Sequence, residues 1–262
     1  MPVTSTTEPV FRPATLGDPQ HHLNDLSAEI AETTAELMFA ARYPIRNPTV
    51  ESPLRVYVGG DSLSDAPRLG LQRSDASVSV EAGTKISTGI VADWYFDWVR
   101  HLRERVAPAG HDVVVLTFGG NDAQPLGGDA PPGTDLWRER YAARVDEIAS
   151  DFAGVAQVVW IGLPPVTPDN IQVILPDVNA IVAAAAERWP HVHYLDAVAL
   201  FGDDEGGFVL SLPDPDTERL TQVRAPDGVH YTPAAGEWMA DEILHIIESL
   251  MSDPAALWPA TG

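Results

Sequence analysis

Leu54-Arg55-Val56-Tyr57-Val58-Gly59-Gly60-Asp61-Ser62-Leu63-Ser64 is a strand-like run that halts at two glycines and delivers a serine. The stretch 54–58 has the composition of a buried β-strand of the kind found in parallel sheets. Two glycines at a strand end permit backbone angles closed to other residues. They can present Ser62 at the carboxyl edge of a sheet, where open α/β folds hold their ligands. Taken alone, the same residues also fit a plain structural turn, or a serine capping the helix that follows.

Two further segments narrow the choice. Asp112-Val113-Val114-Val115-Leu116-Thr117-Phe118 is a second buried-strand run and ends in Gly119-Gly120-Asn121-Asp122. Asp227-Gly228-Val229-His230-Tyr231-Thr232 stands just before a helix-like C-terminal segment. Together and in this order the three blocks resemble the GDSL, or SGNH, hydrolase family of esterases and lipases, over about 54–250. The resemblance implies that Ser62 is the nucleophile, that the Asn121 side chain donates to the oxyanion, and that Asp227 and His230 complete a triad. It also implies a second-block glycine whose N–H faces the oxyanion beside that of Ser62. Gly89, where the loop is expected to turn into a helix, is favoured over Gly83 for that place.

The residues themselves support that chemistry. A serine hydroxyl needs a base within hydrogen-bond reach, and a histidine supplies one near neutral pH. Asp227, three residues before His230, can reach the far imidazole nitrogen from a loop or single turn and fix the tautomer. The order Ser…Asp…His is shared with α/β hydrolases, but their Gly-x-Ser-x-Gly elbow is missing. No Gly-Lys-Ser/Thr follows the paired glycines, so a phosphate loop is excluded.

A chain of 262 residues, 45% hydrophobic, has room for one sizeable α/β domain. There is no cysteine, which removes disulfides, thiolate catalysis and cysteine-held metals. A formal charge of −22 argues against nucleic acid and against anionic lipid surfaces. No membrane span and no secretory signal are legible. The chain as given is therefore expected to be soluble and cytoplasmic, or extracytoplasmic if a leader precedes it. No cofactor or metal is expected; the acidic run Asp203-Asp204-Glu205 with Asp214 and Asp216 lacks calcium-loop spacing and reads as a solvated loop.

Residues 1–17 read as a flexible polar segment, and 18–262 as one domain opening with an extra helix over about 18–43. Strands are expected at 54–58, 77–81, 112–118, 157–162 and 192–195. Helices are expected at about 90–106, 134–152, 176–189 and 232–251. The alternation implies an α/β fold, a three-layer α/β/α sandwich with helices on both faces of a parallel sheet. The resemblance adds a flavodoxin-like five-stranded order, 2-1-3-4-5. Loops 124–135 and 202–222 are candidate cleft walls. Gln124, with Trp137, Tyr141 and Arg144 on one helical face, is a candidate for substrate binding; a core stripe with a snorkelling arginine is the competing reading. Asp61 and Asp122 read as hydrogen-bonders that hold the loops.

The function expected is hydrolysis of a small acyl ester, an acetyl ester above all, through an acyl-enzyme, with a carbohydrate as the alcohol. The alternatives are an O-acyltransferase using the same residues and a catalytically inactive carbohydrate-binding module on this fold. Nothing in the sequence fixes the oligomeric state.

Overall fold

β1 (Leu54–Gly60) is the strand around which the sheet is built in the computed structural model, which describes residues 44–258. The segments expected over 1–17 and 18–43 lie outside the described residues. After β1 come α1 (Asp65–Arg73), β2 (Val78–Thr84) and α2 (Trp98–His101), which continues through a π-helical turn (Leu102–Val106) and a 3₁₀ turn (Ala107–Ala109). Then follow β3 (Val113–Thr117), α3 (Asp135–Phe152), β4 (Gln157–Ile161), α4 (Asp169–Gln172), α5 (Leu175–Arg188), β5 (Val192–Leu195) and α6 (Ala197–Phe201). β6 (Ser211–Pro213), β7 (Leu220–Gln222) and α7 (Pro233–Ser249) complete the helices and strands used below.

β1 to β5 form one parallel sheet in the order β2-β1-β3-β4-β5. Side chains alternate across it, as the strand period of two requires. Tyr57, Val114, Leu116 and Trp160 join the core built with α3 and α5, while Val56, Val58, Val113, Val115 and Ile161 join the core built with α7. Both faces are covered, giving the three-layer α/β/α sandwich. Among the described residues no helix is long and apolar enough to cross a membrane.

Three expectations need correction. The helix expected over 90–106 begins only at Trp98; residues 90–97 are irregular because their backbone is tied to other elements, and Asp97 caps the helix by accepting from Arg100 N–H. β2 runs to Thr84 rather than ending at Glu81, because Ala82, Gly83 and Thr84 pair with Val58, Gly59 and Gly60. The 202–222 segment is not wholly irregular either, since β6 and β7 form a short antiparallel hairpin within it.

α1 and α7 approach so closely that their contact is made by backbone. A Cβ on Gly70 would lie 2.0 Å from the Gly236 carbonyl oxygen, and one on Gly236 would lie 2.4 Å from that of Ala66. In an open helix Gly→Ala stabilises by up to about 1 kcal/mol; here overpacking should reverse the sign. Gly70→Ala is expected to lose about 1–3 kcal/mol in urea unfolding. Unchanged or increased stability would show that the helices are not packed this tightly.

Candidate active site

Strand order reverses between β1 and β3, and the candidate residues gather at the carboxyl ends of these strands. Gly60 has φ +135°, and a Cβ there would lie 1.9 Å from the Thr117 carbonyl oxygen. Only glycine lets β1 turn so close to β3. Asp61 N–H then donates to that same carbonyl at 3.1 Å. Ser62 opens a 3₁₀ turn (Ser62–Ser64) that leads into α1, and the cap is Asp61, whose carboxylate accepts from Leu63 N–H at 2.9 Å. The capping role weighed for Ser62 thus belongs to its neighbour.

The Ser62 hydroxyl lies 2.8 Å from His230 Nε2, and His230 Nδ1 lies 2.8 Å from Asp227 Oδ2. An ionised carboxylate can only accept, so the Nδ1 proton faces Asp227 and Nε2 is left to accept from the hydroxyl. The other Asp227 oxygen accepts from Val229 N–H and His230 N–H, each at 2.9 Å. Burial raises the Asp227 carboxyl, but the His230 N–H, the imidazole and the Val229 N–H outweigh it and hold the group down at about 2. The carboxylate therefore stays ionised across the working pH range. The loop itself is closed by the antiparallel bridge of Arg224 with Tyr231, and Ala225 N–H donates to His230 O at 2.8 Å.

Asn121, four residues past β3, donates from its side-chain amide to Thr88 O at 3.0 Å, which sets it against the Thr88-Gly89 peptide. A Cβ on Gly89 would lie 2.0 Å from Asp122 Oδ1, so that position has room for glycine alone. Gly83 lies instead within β2, packed on the Tyr57 ring, where a Cβ would meet the Tyr57 hydroxyl at 2.0 Å. The 85–93 loop is fastened at several points. Trp98 Nε1 donates to Thr88 Oγ1 at 2.8 Å, Val91 N–H donates to Asp122 Oδ1 at 3.0 Å, and Arg144 binds Ile90 O and Asp93.

Trp137 and Tyr141 do not line a cleft. Both are fully buried and stacked with centroids 4.7 Å apart, because the helical face they share is the one α3 turns to the sheet. Trp137 Nε1 donates to Gln124 O at 3.0 Å, and the Tyr141 hydroxyl donates to Asp122 Oδ2 at 3.1 Å. Arg144 is spent on the Ile90 and Val91 carbonyls and the Asp93 carboxylate. Gln124 donates to Asn121 O at 2.6 Å. These four side chains brace the loops of the site from behind. Two residues that the sequence reading passed over also serve here: Thr88, which accepts from Trp98, braces the second block, and Arg224 braces the Asp227 loop. Nothing local in the sequence marks either.

Asp61 and Asp122 are both fully buried. Asp61 Oδ2 accepts from Gly120 N–H at 2.9 Å, so this carboxylate joins the Ser62 turn to the Asn121 loop. Burial, opposed by backbone donors, pushes Asp61 up to about 7 and Asp122 up to about 6. The acidic side chains beyond β5 serve their own turns: Asp203 Oδ1 accepts from Glu205 and Gly207 N–H, and Asp214 Oδ1 from Asp216 and Thr217. Among the described residues no group of three or more His, Asp or Glu side chains could hold a metal ion.

A family model with the description "Protein of unknown function (DUF459)" matches residues 55–246. The chain belongs to that family. Among solved structures it is similar to two catalytic mutants of Axe2, an acetylxylan esterase from Geobacillus stearothermophilus. One is 16% identical with a TM-score of 0.52, the other 15% identical with a TM-score of 0.50; each match covers 74% of this chain and 94% of that chain. The fold is that of the SGNH hydrolases, and the family match spans the blocks that carry Ser62, Gly89, Asn121, Asp227 and His230. No curated protein matches the chain in sequence.

The buried carboxylates set a pH dependence. Asp122, raised from 3.8 to about 6 in the fold, contributes stability below about pH 4 that is lost as pH rises through 6. In Asp122→Asn the amide oxygen can still accept from Val91 N–H, and the Tyr141 hydroxyl can turn to accept. That variant should match the wild type at pH 4 and gain on it by pH 7, by at most about 3 kcal/mol. Urea unfolding across this range checks it; a variant that falls further behind as pH rises would contradict the assignment.

Proposed function

We propose that this protein is a serine esterase that removes small acyl groups, acetyl above all, from a carbohydrate ester through an acyl-enzyme. The observation that carries the reading is the continuous hydrogen-bonded chain from Ser62 Oγ through His230 to Asp227. In the proposed reaction Ser62 Oγ attacks the ester carbonyl while His230 Nε2 takes its proton. Asp227 holds the imidazole in the competent tautomer and stabilises the imidazolium without being protonated itself. The oxyanion is met by the N–H groups of Ser62 and Gly89 and by the Asn121 side-chain amide, donors fixed before the charge develops. The intermediate collapses as His230 returns the proton to the departing alcohol. A water molecule, deprotonated by the same imidazole, then attacks the acyl-serine, and the acid leaves as His230 returns that proton to Ser62 Oγ.

The braced loops favour this reading, because oxyanion donors act only when they need no rearrangement at the moment of reaction. The carbohydrate part is supported by Trp94 and Tyr95, 81% and 58% exposed, with ring centroids 5.9 Å apart, on the segment that follows Gly89. Exposed aromatic faces suit the apolar faces of sugar rings. Axe2, of the same fold, is an acetylxylan esterase.

Ser62→Ala should lose about 10⁴-fold or more of the turnover of 4-nitrophenyl acetate while its melting temperature stays close to that of the wild type. Retention of most of the activity would remove Ser62 from the chemistry. Asn121→Ala should lower kcat by about 10²–10³ with KM nearly unchanged. A change confined to KM or to stability would reduce Asn121 to a structural or ground-state contact. On substrate panels, acetylated xylo-oligosaccharides should be deacetylated and long-chain esters left intact; the opposite order would exclude the carbohydrate assignment.

A further inference from the structure

Arg224 is a fully buried arginine, and among the described residues no carboxylate forms an ion pair with it. A buried charge without a counter-ion is costly unless dipoles satisfy it. Here backbone carbonyls do so. Nη1 donates to Pro165 O at 2.6 Å, Nη2 to Val229 O at 2.6 Å and Nε to His230 O at 3.4 Å. The guanidinium also lies over two rings, 5.3 Å from the centroid of Phe208 and 4.8 Å from that of Tyr231. Pro165 belongs to the loop after β4, Phe208 to the segment before β6, and Val229 and His230 to the candidate catalytic loop. One side chain joins all three.

The peptide between Val229 and His230 gives this contact a direction. Its carbonyl accepts from Arg224, and its N–H donates to Asp227 Oδ1 at 2.9 Å. A cation on the oxygen end polarises the peptide and strengthens donation from the nitrogen end, as in any hydrogen-bonded chain within a low dielectric. The second Asp227 oxygen then meets His230 Nδ1, and His230 Nε2 meets Ser62 Oγ. An unbroken path of hydrogen bonds thus runs from the guanidinium to the serine hydroxyl.

We propose that Arg224 is a positioning residue of the Ser62 site: through the Val229–His230 peptide it fixes the Asp227 carboxylate and, with it, the imidazole. The inference rests on the hydrolase reading above. Arg224 touches neither substrate nor reacting atoms, so its effect should reach the reaction only through Asp227. Lysine could not replace it, since one ammonium cannot match a planar fork set on three carbonyls.

A double-mutant cycle with 4-nitrophenyl acetate tests this. Arg224→Met should lower kcat on the order of 10- to 100-fold with KM within about 2-fold, the loss of one or two charge-assisted hydrogen bonds. In an Asp227→Ala background the same change should cost less than about 2-fold, because the group it acts through is gone. An equal loss in both backgrounds, or full kcat in a folded Arg224→Met protein, would overturn the proposal. Should Arg224→Met not fold, Arg224→Lys makes the same comparison; failure of both to fold would also overturn it, leaving Arg224 a purely fold-holding residue. Proton NMR separates this claim from the parent reading. The downfield His230 Nδ1–H resonance, assigned by its loss in His230→Gln, should shift upfield or broaden in Arg224→Met even if the wild type proves inactive on esters. An unaltered resonance would count against Arg224 whether or not the wild type is an esterase.

Discussion

The buried Asp61 carboxylate is the constraint on which the site depends. One oxygen accepts from Leu63 N–H in the Ser62 turn, and the other accepts from Gly120 N–H in the Asn121 loop. The chain ends of β1 and β3 are thereby fixed to one another by a single side chain with no access to solvent. A carboxylate in this position is expensive, as its upward shift to about 7 records. Burial without donors would cost far more, so the two N–H groups and the carboxylate hold each other in place. Exchange of Asp61 for a residue with a different oxygen spacing would release both loops at once.

Around that link the molecule spends its polar side chains on backbone. Asp122 accepts from Val91 N–H and from the Tyr141 hydroxyl, Trp98 holds Thr88, Arg144 holds Ile90, and Arg224 holds Val229 and His230. Trp98, Tyr141 and Arg144 reach from helices, and Asp122 and Arg224 from buried loop positions, to satisfy groups that would otherwise be left unpaired. The loops that bear Ser62, Gly89, Asn121 and His230 lie outside the sheet and the long helices, as the proposed reaction, which needs exposed donors and acceptors, requires. They are rigid because their remaining backbone groups are bound elsewhere. Function and packing meet in the same hydrogen bonds.

Much of this was legible in the sequence, for identifiable reasons. β1, β3 and β4 lie inside the sheet and are buried almost throughout on both faces, so they read as apolar runs, and the glycines after β1 and β3 marked their ends. β2 lies at the sheet edge, and its last residues, Ala82, Gly83 and Thr84, carry no apolar signal; pairing with β1 determines their extent. The aromatic run 94–98 imitates a helical pattern, but only Trp98 is in the helix, and Asp97 before it was the stop sign to heed. Trp137 and Tyr141 share a face by their spacing, but spacing does not say whether that face meets solvent or sheet. Arg224 was invisible, since a single sequence cannot distinguish a buried arginine held by carbonyls from any of the exposed ones.

In the proposed reaction Ser62 Oγ is the atom that becomes acylated, and trapping that species is the most direct test. The protein is mixed with 4-nitrophenyl acetate, quenched in acid within the first turnover and digested for mass spectrometry. One acetyl group is expected on the peptide that contains Ser62, localised to the serine oxygen, and none in His230→Ala. Turnover with that peptide unmodified, or with the acetyl group on another residue, would contradict that reaction.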